Sequence, residues 1–363
     1  MTCLAILVNY HCAQLIVDAV KSIADDAECD WIHVVDNSES EVEAEWLRKN
    51  LPHKAKLLVS LQNIGFGRAC NLALDGVQPE SVLLLNPDAR LLPGALARLK
   101  LTLGEFDKVG AVGPRVFWDN AQKFMLPPST YPSRVGFCLN LLGQRWTWLA
   151  AIKAKKFRRK SLHYWTTSQP VSVCALSGGH VLLRHDALVS VGGLFDPQFF
   201  MYWEDTDLMR RLSDGGWGLL MEPRAKAVHW YEHTVHKDQL IEQGWPAFSD
   251  KHFSGWFWHK LTRFVQASRK AAVTDSFTFL ASSNDAGFEI KVPQALQAAW
   301  LLEVSPSRDF IPSIGLLGTG PLAFLPINLA ERFKDRDYYL RVSMADDKWL
   351  SCEYINFVFN MKS

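Results

Sequence analysis

The sequence predicts an open α/β sheet of parallel strands followed by a small all-β domain of sandwich type. Two patterns carry this. In the first half, near-continuous apolar runs, CLAILVN (3–9), WIHVVD (31–36), KLLVSL (56–61) and SVLLLN (81–86), alternate with helix-like stretches. Strands buried on both faces by crossover helices have that composition. From about Asp275 the helical stretches stop, and DSFTFLASS, GFEIKVP, AAWLLEVSP, DYYLRVSMA and WLSCEYINFVFN read as strands between turn residues.

The stretches between the first runs, AQLIVDAVKSIA, EVEAEWLRKN and GRACNLALDG, read as helices and complete a β-α-β-α rhythm. Open sheets of this kind bind ligands beyond the carboxyl ends of their strands. Polar residues gather there: Asn9-Tyr10 after the first run, Asp36-Asn37-Ser38 after the second, Asn86-Pro87-Asp88 after the fourth. Residues 1–237 are expected to form this domain, 238–274 a helical linker and 275–363 the β domain, with homo-oligomer assembly or glycan binding as its role. Ile311 to Ala330 carries no charge, but Pro312, Pro321 and Pro326 with Gly315, Gly318 and Gly320 argue for strands and turns rather than a membrane span.

Residues 144–165 differ in character. Lys153, Lys155, Lys156, Arg158, Arg159 and Lys160 lie within eight positions, flanked by Trp146, Trp148 and Trp165. Two readings fit: a solvated cationic loop or helix, or a peripheral membrane contact that meets anionic headgroups or a phosphate-bearing acceptor. HFSGWFWHKLTRFVQASRK (252–270) has helical spacing and either shares that surface or packs as a linker. Formal net charge is only +1, so no nucleic-acid partner is expected from bulk electrostatics. The seven cysteines are scattered without a C-x-x-C pair, which points away from a disulfide framework and toward a reducing cytoplasm. MTCLAILVNYHC lacks the cationic start of a signal peptide. The expected location is cytoplasmic, at the inner face of the cell membrane where the basic surface meets lipid.

FFMYWEDTDLMRRL (199–212) sets Glu204, Asp205 and Asp207 beside the most aromatic stretch of the chain. A helix start alone accounts for this: Asp205 caps the first turn, and Leu208 and Leu212 share a face. Asp36, at a strand end, either accepts hydrogen bonds from a base or ribose or caps a turn. In LQNIGFGRACNLAL, Gly65 and Gly67 let the backbone approach a nucleotide closely, and Arg68 is placed for a phosphate. No G-x-G-x-x-G dinucleotide fingerprint occurs. Asp88, after a proline at a strand end, is placed for a hard cation bridging diphosphate oxygens.

Taken in order, VNY (8–10), VVDNS (34–38), NIGFGRACN (63–71), LLLNPDA (83–89), LSGGHVLLRHDALVSVGGLFDPQFFMYWEDTDLMRRLSDGGW (176–217) and AVHW (227–230) resemble the family 2 glycosyltransferases of GT-A fold, and among them bacterial rhamnosyltransferase-like members. The likeness spans roughly residues 3–235. It implies a GT-A catalytic domain that moves a sugar from a nucleotide diphosphate, dTDP-rhamnose or a UDP-hexose, to a hydroxyl of a glycan or lipid-linked oligosaccharide in surface polysaccharide synthesis.

The resemblance sets Tyr10, Asp36, Asn63, Gly65, Arg68 and Asn86 around the nucleotide sugar. Asp88 matches the last position of the family's D-x-D metal motif, with Asn86 at the first. His229 joins Asp88 in holding magnesium or manganese, and His233 and His236 follow close by. Asp205 matches the catalytic base, with Glu204 orienting it or raising its basicity by like-charge repulsion. Tyr202 and Trp203, with Phe199 and Phe200, are expected either to wall the acceptor sugar or to exclude water. Inverting transfer needs these parts, because the acceptor hydroxyl must lose a proton while the leaving diphosphate is neutralised.

Two rivals have distinguishing features. A nucleotidyltransferase uses the same sheet edge but needs a phosphate-binding loop near the first strand, and VNYHCAQ lacks its glycines and basic residues. A non-catalytic glycan-binding scaffold is supported by Asn86 alone, and donor hydrolysis separates it from an enzyme.

Overall fold

The computed structural model describes residues 1–131, 146–230, 237–253, 260, 278–279, 287–330, 337–345 and 355–359. Most of the 252–270 stretch, along with His233 and His236, lies outside them. The chain forms two compact units.

The first unit is the open sheet and its helices. In chain order it holds β1 (Cys3–Asn9), α1 (Ala13–Ala24), β2 (Trp31–Asp36), α2 (Glu41–Asn50), β3 (Ala55–Val59), α3 (Phe66–Leu74), β4 (Ser81–Leu85), β5 (Ala89–Leu91), α4 (Ala95–Glu105) and β6 (Val109–Phe117). After α5 (Thr147–Thr166), which packs elsewhere, come β7 (Val171–Ser172), β8 (His180–Arg184), α6 (His185–Ser190), α7 (Glu204–Asp214), β9 (Gly218–His229) and α8 (Lys237–His252). Strand order is β3-β2-β1-β4-β8-β6-β9-β5, with β7 beside β9.

Strands β3, β2, β1 and β4 run parallel, as the apolar runs predict. Every residue of β1 and β4 is buried, because helices cover both faces. Beyond β4 the sheet turns antiparallel: β8 pairs with β4 and β6, and β5 with β9. The β4–β8 pairing sets Leu85 opposite His180, and the β5–β9 pairing sets Ala89 opposite His229. Two distant segments, 177–180 and 229–230, therefore arrive at the end of β4.

The second unit gathers described residues from Phe117–Pro128, Pro132–Thr166 and Gly255–Ser363. Its strands are β10 (Thr278–Phe279), β11 (Gly287–Lys291), β12 (Trp300–Ser305), β13 (Ile314–Gly318), β14 (Leu322–Pro326), β15 (Tyr338–Met344) and β16 (Ile355–Phe359). Five form a sheet, β10-β16-β15-β12-β13, and β11 pairs with β14. The uncharged segment 311–330 is two strands with turns and one short helix.

Period-two alternation splits the faces of β12 and β15. Trp300, Leu302, Val304, Tyr338, Leu340 and Val342 join one core with Phe288 and Ile290 of β11 and Leu325 of β14. Glu303, Arg341 and Ser343 point to the opposite face, where Glu303 and Arg341 are register partners. There α5 lies. Arg158 Nε donates to Glu303 Oε2 at 3.2 Å, and its Nη2 donates to Ser343 Oγ at 2.7 Å. Arg341 Nε donates to the same Glu303 oxygen at 2.8 Å.

This grouping differs from the sequence division at 237 and 275. Met125 and Gly315 exchange backbone hydrogen bonds of 2.8 and 3.0 Å, and the Trp165 indole donates to Leu126 O at 2.9 Å. Residues 117–128 and α5 thus pack on strands far along the chain. The basic run also loses one member, because Arg158 is buried in a charge network instead of facing outward. Among the described residues, no helix is long and apolar enough to cross a membrane.

Candidate active site

At the ends of β1 and β2, Asn9 ties four elements together. Its amide nitrogen donates to Asp36 Oδ1 at 2.8 Å and to Glu43 Oε2 at 2.7 Å, and its oxygen accepts from Cys12 N. Asp36 is 1% exposed and also accepts from Ser38 N. Ser40 to Glu43 has the sequence of a capping box, and Ser40 Oγ does accept from Glu43 N. The Glu43 side chain goes to Asn9 instead of turning back onto the helix start. Tyr10, next in sequence, is 46% exposed. A recess of about 450 Å3 lined by His11, Cys12, Gln14, Leu15, Glu43 and Trp46 opens beside this corner.

The next loop is held by side-chain amides. Asn37 donates to Asn63 Oδ1 at 2.8 Å and accepts from Ile64 N, while Asn63 Oδ1 also accepts from Gly65 N. Gly65 has φ +82°, and a Cβ there would stand 2.2 Å from Phe200 O. Phe66 N donates to that same carbonyl. Arg68 Nε donates to Pro197 O at 2.9 Å. Gly65 and Arg68 thus dock the 195–200 segment, and only the rest of the guanidinium is left to meet a phosphate.

Asp88 and His229 form the second cluster. They are 4% and 1% exposed, and His229 Nε2 lies 3.1 Å from Asp88 Oδ1. Asn86 lies alongside: a Cβ on Gly179 would stand 2.7 Å from Asn86 Nδ2 and 3.1 Å from His229 Cε1. His180 stacks edge-on against His229 at 5.3 Å, and burial with the neighbouring His229 pushes its pKa down to about 3, so it is neutral. One carboxylate, one imidazole and one amide oxygen suit a cation that takes its remaining ligands from a diphosphate and water. Among the described residues no three His, Cys, Asp or Glu converge on one point. The donor set fits a substrate-completed metal.

Asp205 lies on the other side of the same glycines. Gly178 N donates to Asp205 Oδ2 at 3.2 Å, and a Cβ on Gly178 would stand 3.1 Å from Asp205 Cβ. Asp205 is in the first turn of α7 but is not its cap: Trp203 holds that position with φ +74°, after Tyr202 with φ +66°. Two successive left-handed residues without glycine cost about 1–2 kcal/mol each, so the surroundings must hold them. The Trp203 indole donates to Ile241 O at 2.9 Å and packs against Trp245 and Phe248. Trp203 is an internal anchor here, and Phe200, 49% exposed, is the open aromatic surface.

Glu204 and Asp207 are both buried, with opposite outcomes. Burial first, then the adjacent Asp205, pushes Glu204 up to about 8. Its Oε2 has no hydrogen-bond partner, and its Cβ faces Gly67 of α3. A carboxyl held at about 8 is mostly protonated at neutral pH. For Asp207 burial alone would raise the pKa, but hydrogen bonds from His252, Lys251 and Arg211 outweigh it and hold the group at about 2. Arg211 in turn donates to the carbonyls of Val191, Gly193 and Leu194. Asp207 is visible in sequence only as a third acid near a helix start; Asn9 and Asn37 stand at the expected ligand edge but without a role. Glu43 and the paired glycines 178 and 179 give no sign as site-builders beyond the adjacency of the two glycines, directly before a buried strand.

Residues 3–243 match the family described as glycosyltransferase-like family 2. The N-acetylglucosaminyl-diphospho-decaprenol L-rhamnosyltransferase of Mycobacterium tuberculosis is 29% identical over 225 residues, 56% of this chain and 69% of the relative. The rhamnosyltransferase WbbL of Escherichia coli K12 is 30% identical over 129 residues, 36% of this chain and 42% of the relative. Among solved structures, GalNAc-T7 with UDP, GalNAc and Mn2+ aligns at a TM-score of 0.47 and 13% identity over 76% of this chain, and the match spans 52% of that protein. The mannosyltransferase PcManGT of Pyrobaculum calidifontis, in complex with GDP-Man and Mn2+, aligns at 0.42 and 15% identity over 74% of this chain and 65% of its own.

Proposed function

The chain belongs to glycosyltransferase-like family 2, and from that premise we propose that it transfers rhamnose, with inversion, from a nucleotide diphosphate to a hydroxyl of a lipid-linked saccharide. The acceptor class and the sugar follow the name of the mycobacterial relative, an L-rhamnosyltransferase of N-acetylglucosaminyl-diphospho-decaprenol. The reaction belongs to the assembly of a surface polysaccharide at the inner face of the cell membrane.

One observation carries this reading: Gly178 and Gly179 separate Asp205 from Asn86 and His229 by two backbone residues. A base and a diphosphate-binding pair are what a single displacement needs on opposite sides of one anomeric carbon. Asp205 takes the proton of the acceptor hydroxyl. Asp88 and His229 would hold a divalent cation, magnesium or manganese, and its charge would offset that of the departing diphosphate. Tyr10, Asp36 and Asn63 hold the nucleotide, with Asn9 and Glu43 fixing the Asp36 carboxylate. Tyr202 and Phe200 border the acceptor side.

The test is direct. Purified protein, dTDP-rhamnose and a polyprenyl-diphosphate N-acetylglucosamine are combined with manganese and with chelator, and the product is analysed by NMR. The reading expects metal-dependent transfer with an inverted anomeric centre. Transfer from other donors only, or retention at the anomeric carbon, would contradict it.

A further inference from the structure

Helix α5 carries six Lys and Arg residues and no Asp or Glu, in a chain whose net charge is +1. Its inward stripe is Ala154, Arg158, Leu162 and Trp165, all buried. Arg158 is consumed there by Glu303 and Ser343. The remaining cations cannot all turn inward, and Lys156 and Arg159 are exposed while Lys153, Lys155 and Lys160 are half-buried. At the amino-terminal end of the same helix, Trp146, Trp148 and Ile152 are 40%, 60% and 44% exposed.

Trp148, Ile152, Lys156, Arg159 and His163 follow one another at spacings of four, four, three and four, so they share one face. That face extends about 22 Å, apolar and aromatic at its start and cationic beyond. A solvated charged helix has no reason to expose two tryptophans and an isoleucine beside its cations. A purely electrostatic partner explains the lysines but not the apolar end. An interfacial surface accounts for both, since tryptophan rings rest at headgroup depth while lysines and arginines meet anionic lipid. The helix lies on a membrane and does not enter one: six cations in twenty residues exclude a span.

We infer that the outward face of α5 docks on an anionic lipid surface, with Trp146, Trp148 and Ile152 at the interface and Lys155, Lys156 and Arg159 over the headgroups. Arg158 takes no part and fixes which face of the helix points out. The inference adds a location to the transfer reaction without depending on it, because binding is measured without donor or acceptor.

The test uses the full chain and sedimentation with vesicles of phosphatidylcholine, with and without a third of phosphatidylglycerol, at low and high salt. The expected result is binding to the anionic vesicles that weakens with salt. Combined Lys155→Gln, Lys156→Gln and Arg159→Gln should lower partitioning about 100-fold, from roughly fivefold per basic residue. Trp148→Ser should lower it independently, and both variants should keep the wild-type melting temperature. Equal binding of the triple variant and the wild type would overturn the inference. So would wild-type binding to polyuridylate RNA with none to vesicles, which would make the face a nucleic-acid surface, and so would unchanged binding by Trp148→Ser.

Discussion

The backbone amide of Gly178 donates to Oδ2 of Asp205 at 3.2 Å, and the two residues are so close that a Cβ on the glycine would stand 3.1 Å from that of the aspartate. The carboxylate is held from the strand side by a group that carries no side chain of its own. One Asp205 oxygen is fixed by that amide and the other by Thr206 N at 2.6 Å.

Gly178→Ala should therefore displace Asp205 by a few tenths of an ångström and lower turnover about 10- to 100-fold. Affinity for the nucleotide sugar should stay near normal. Gly179→Ala, whose Cβ would meet Asn86 Nδ2 at 2.7 Å, should instead weaken donor binding and its metal dependence. Titration calorimetry and initial rates on both variants check the separation.

Glu204 should make stability fall with rising pH. Its pKa lies near 8 in the folded chain and lower in the unfolded one, so its contribution is full below about pH 4.5 and lost as pH rises through about 8. Glu204→Gln keeps the shape and removes the titration. Thermal melts should show little difference from wild type at about pH 4 and a variant several degrees more stable at about pH 9. Parallel curves at both pH values would refute the assignment.

Asp207 should act with the opposite sign. Held at about 2, it contributes stability above its ordinary range near 4 that is lost as pH falls through about 2. Asp207→Asn leaves Arg211, Lys251 and His252 without their shared carboxylate and should cost about 3–5 kcal/mol at neutral pH. The gap should narrow in acid, as measured by denaturant melts across pH.

Much of the parallel half-sheet was legible because burial on both faces leaves uninterrupted apolar runs such as CLAILVN. The antiparallel half was not. β6 contains Pro114 and two glycines, and β8 passes straight from Gly179 into α6, so neither shows a clean period. Asp205, Asp88 and His229 stood out through motif resemblance, but the residues that aim them were silent. Asn9, at the end of β1, and Asn37, in the loop after β2, are ordinary amides until the fold brings Asp36 and Asn63 beside them. The one cation inside the apolar stripe of α5, Arg158, was the available sign that this helix packs on a distant carboxylate.

That packing predicts the outcome of removing residues after 270. Such a chain loses Glu303, Ser343 and the sheet beneath α5, leaving Arg158, Leu162 and Trp165 uncovered. It should be insoluble or molten. Near-native circular dichroism and a cooperative melt of the truncated chain would show that α5 does not need those strands.

The measurement that tests the account most directly is Asp205→Asn set beside Asp88→Ala in one preparation series. The asparagine keeps the size and the acceptor oxygen for Gly178 while removing basicity. Calorimetry with dTDP-rhamnose and manganese should find its donor affinity near wild type, and the transfer rate should fall roughly 10²–10⁴-fold. Asp88→Ala should instead lose donor affinity together with its dependence on metal. Near-normal transfer by Asp205→Asn, with the fold intact, would contradict the assignment of Asp205 as the base.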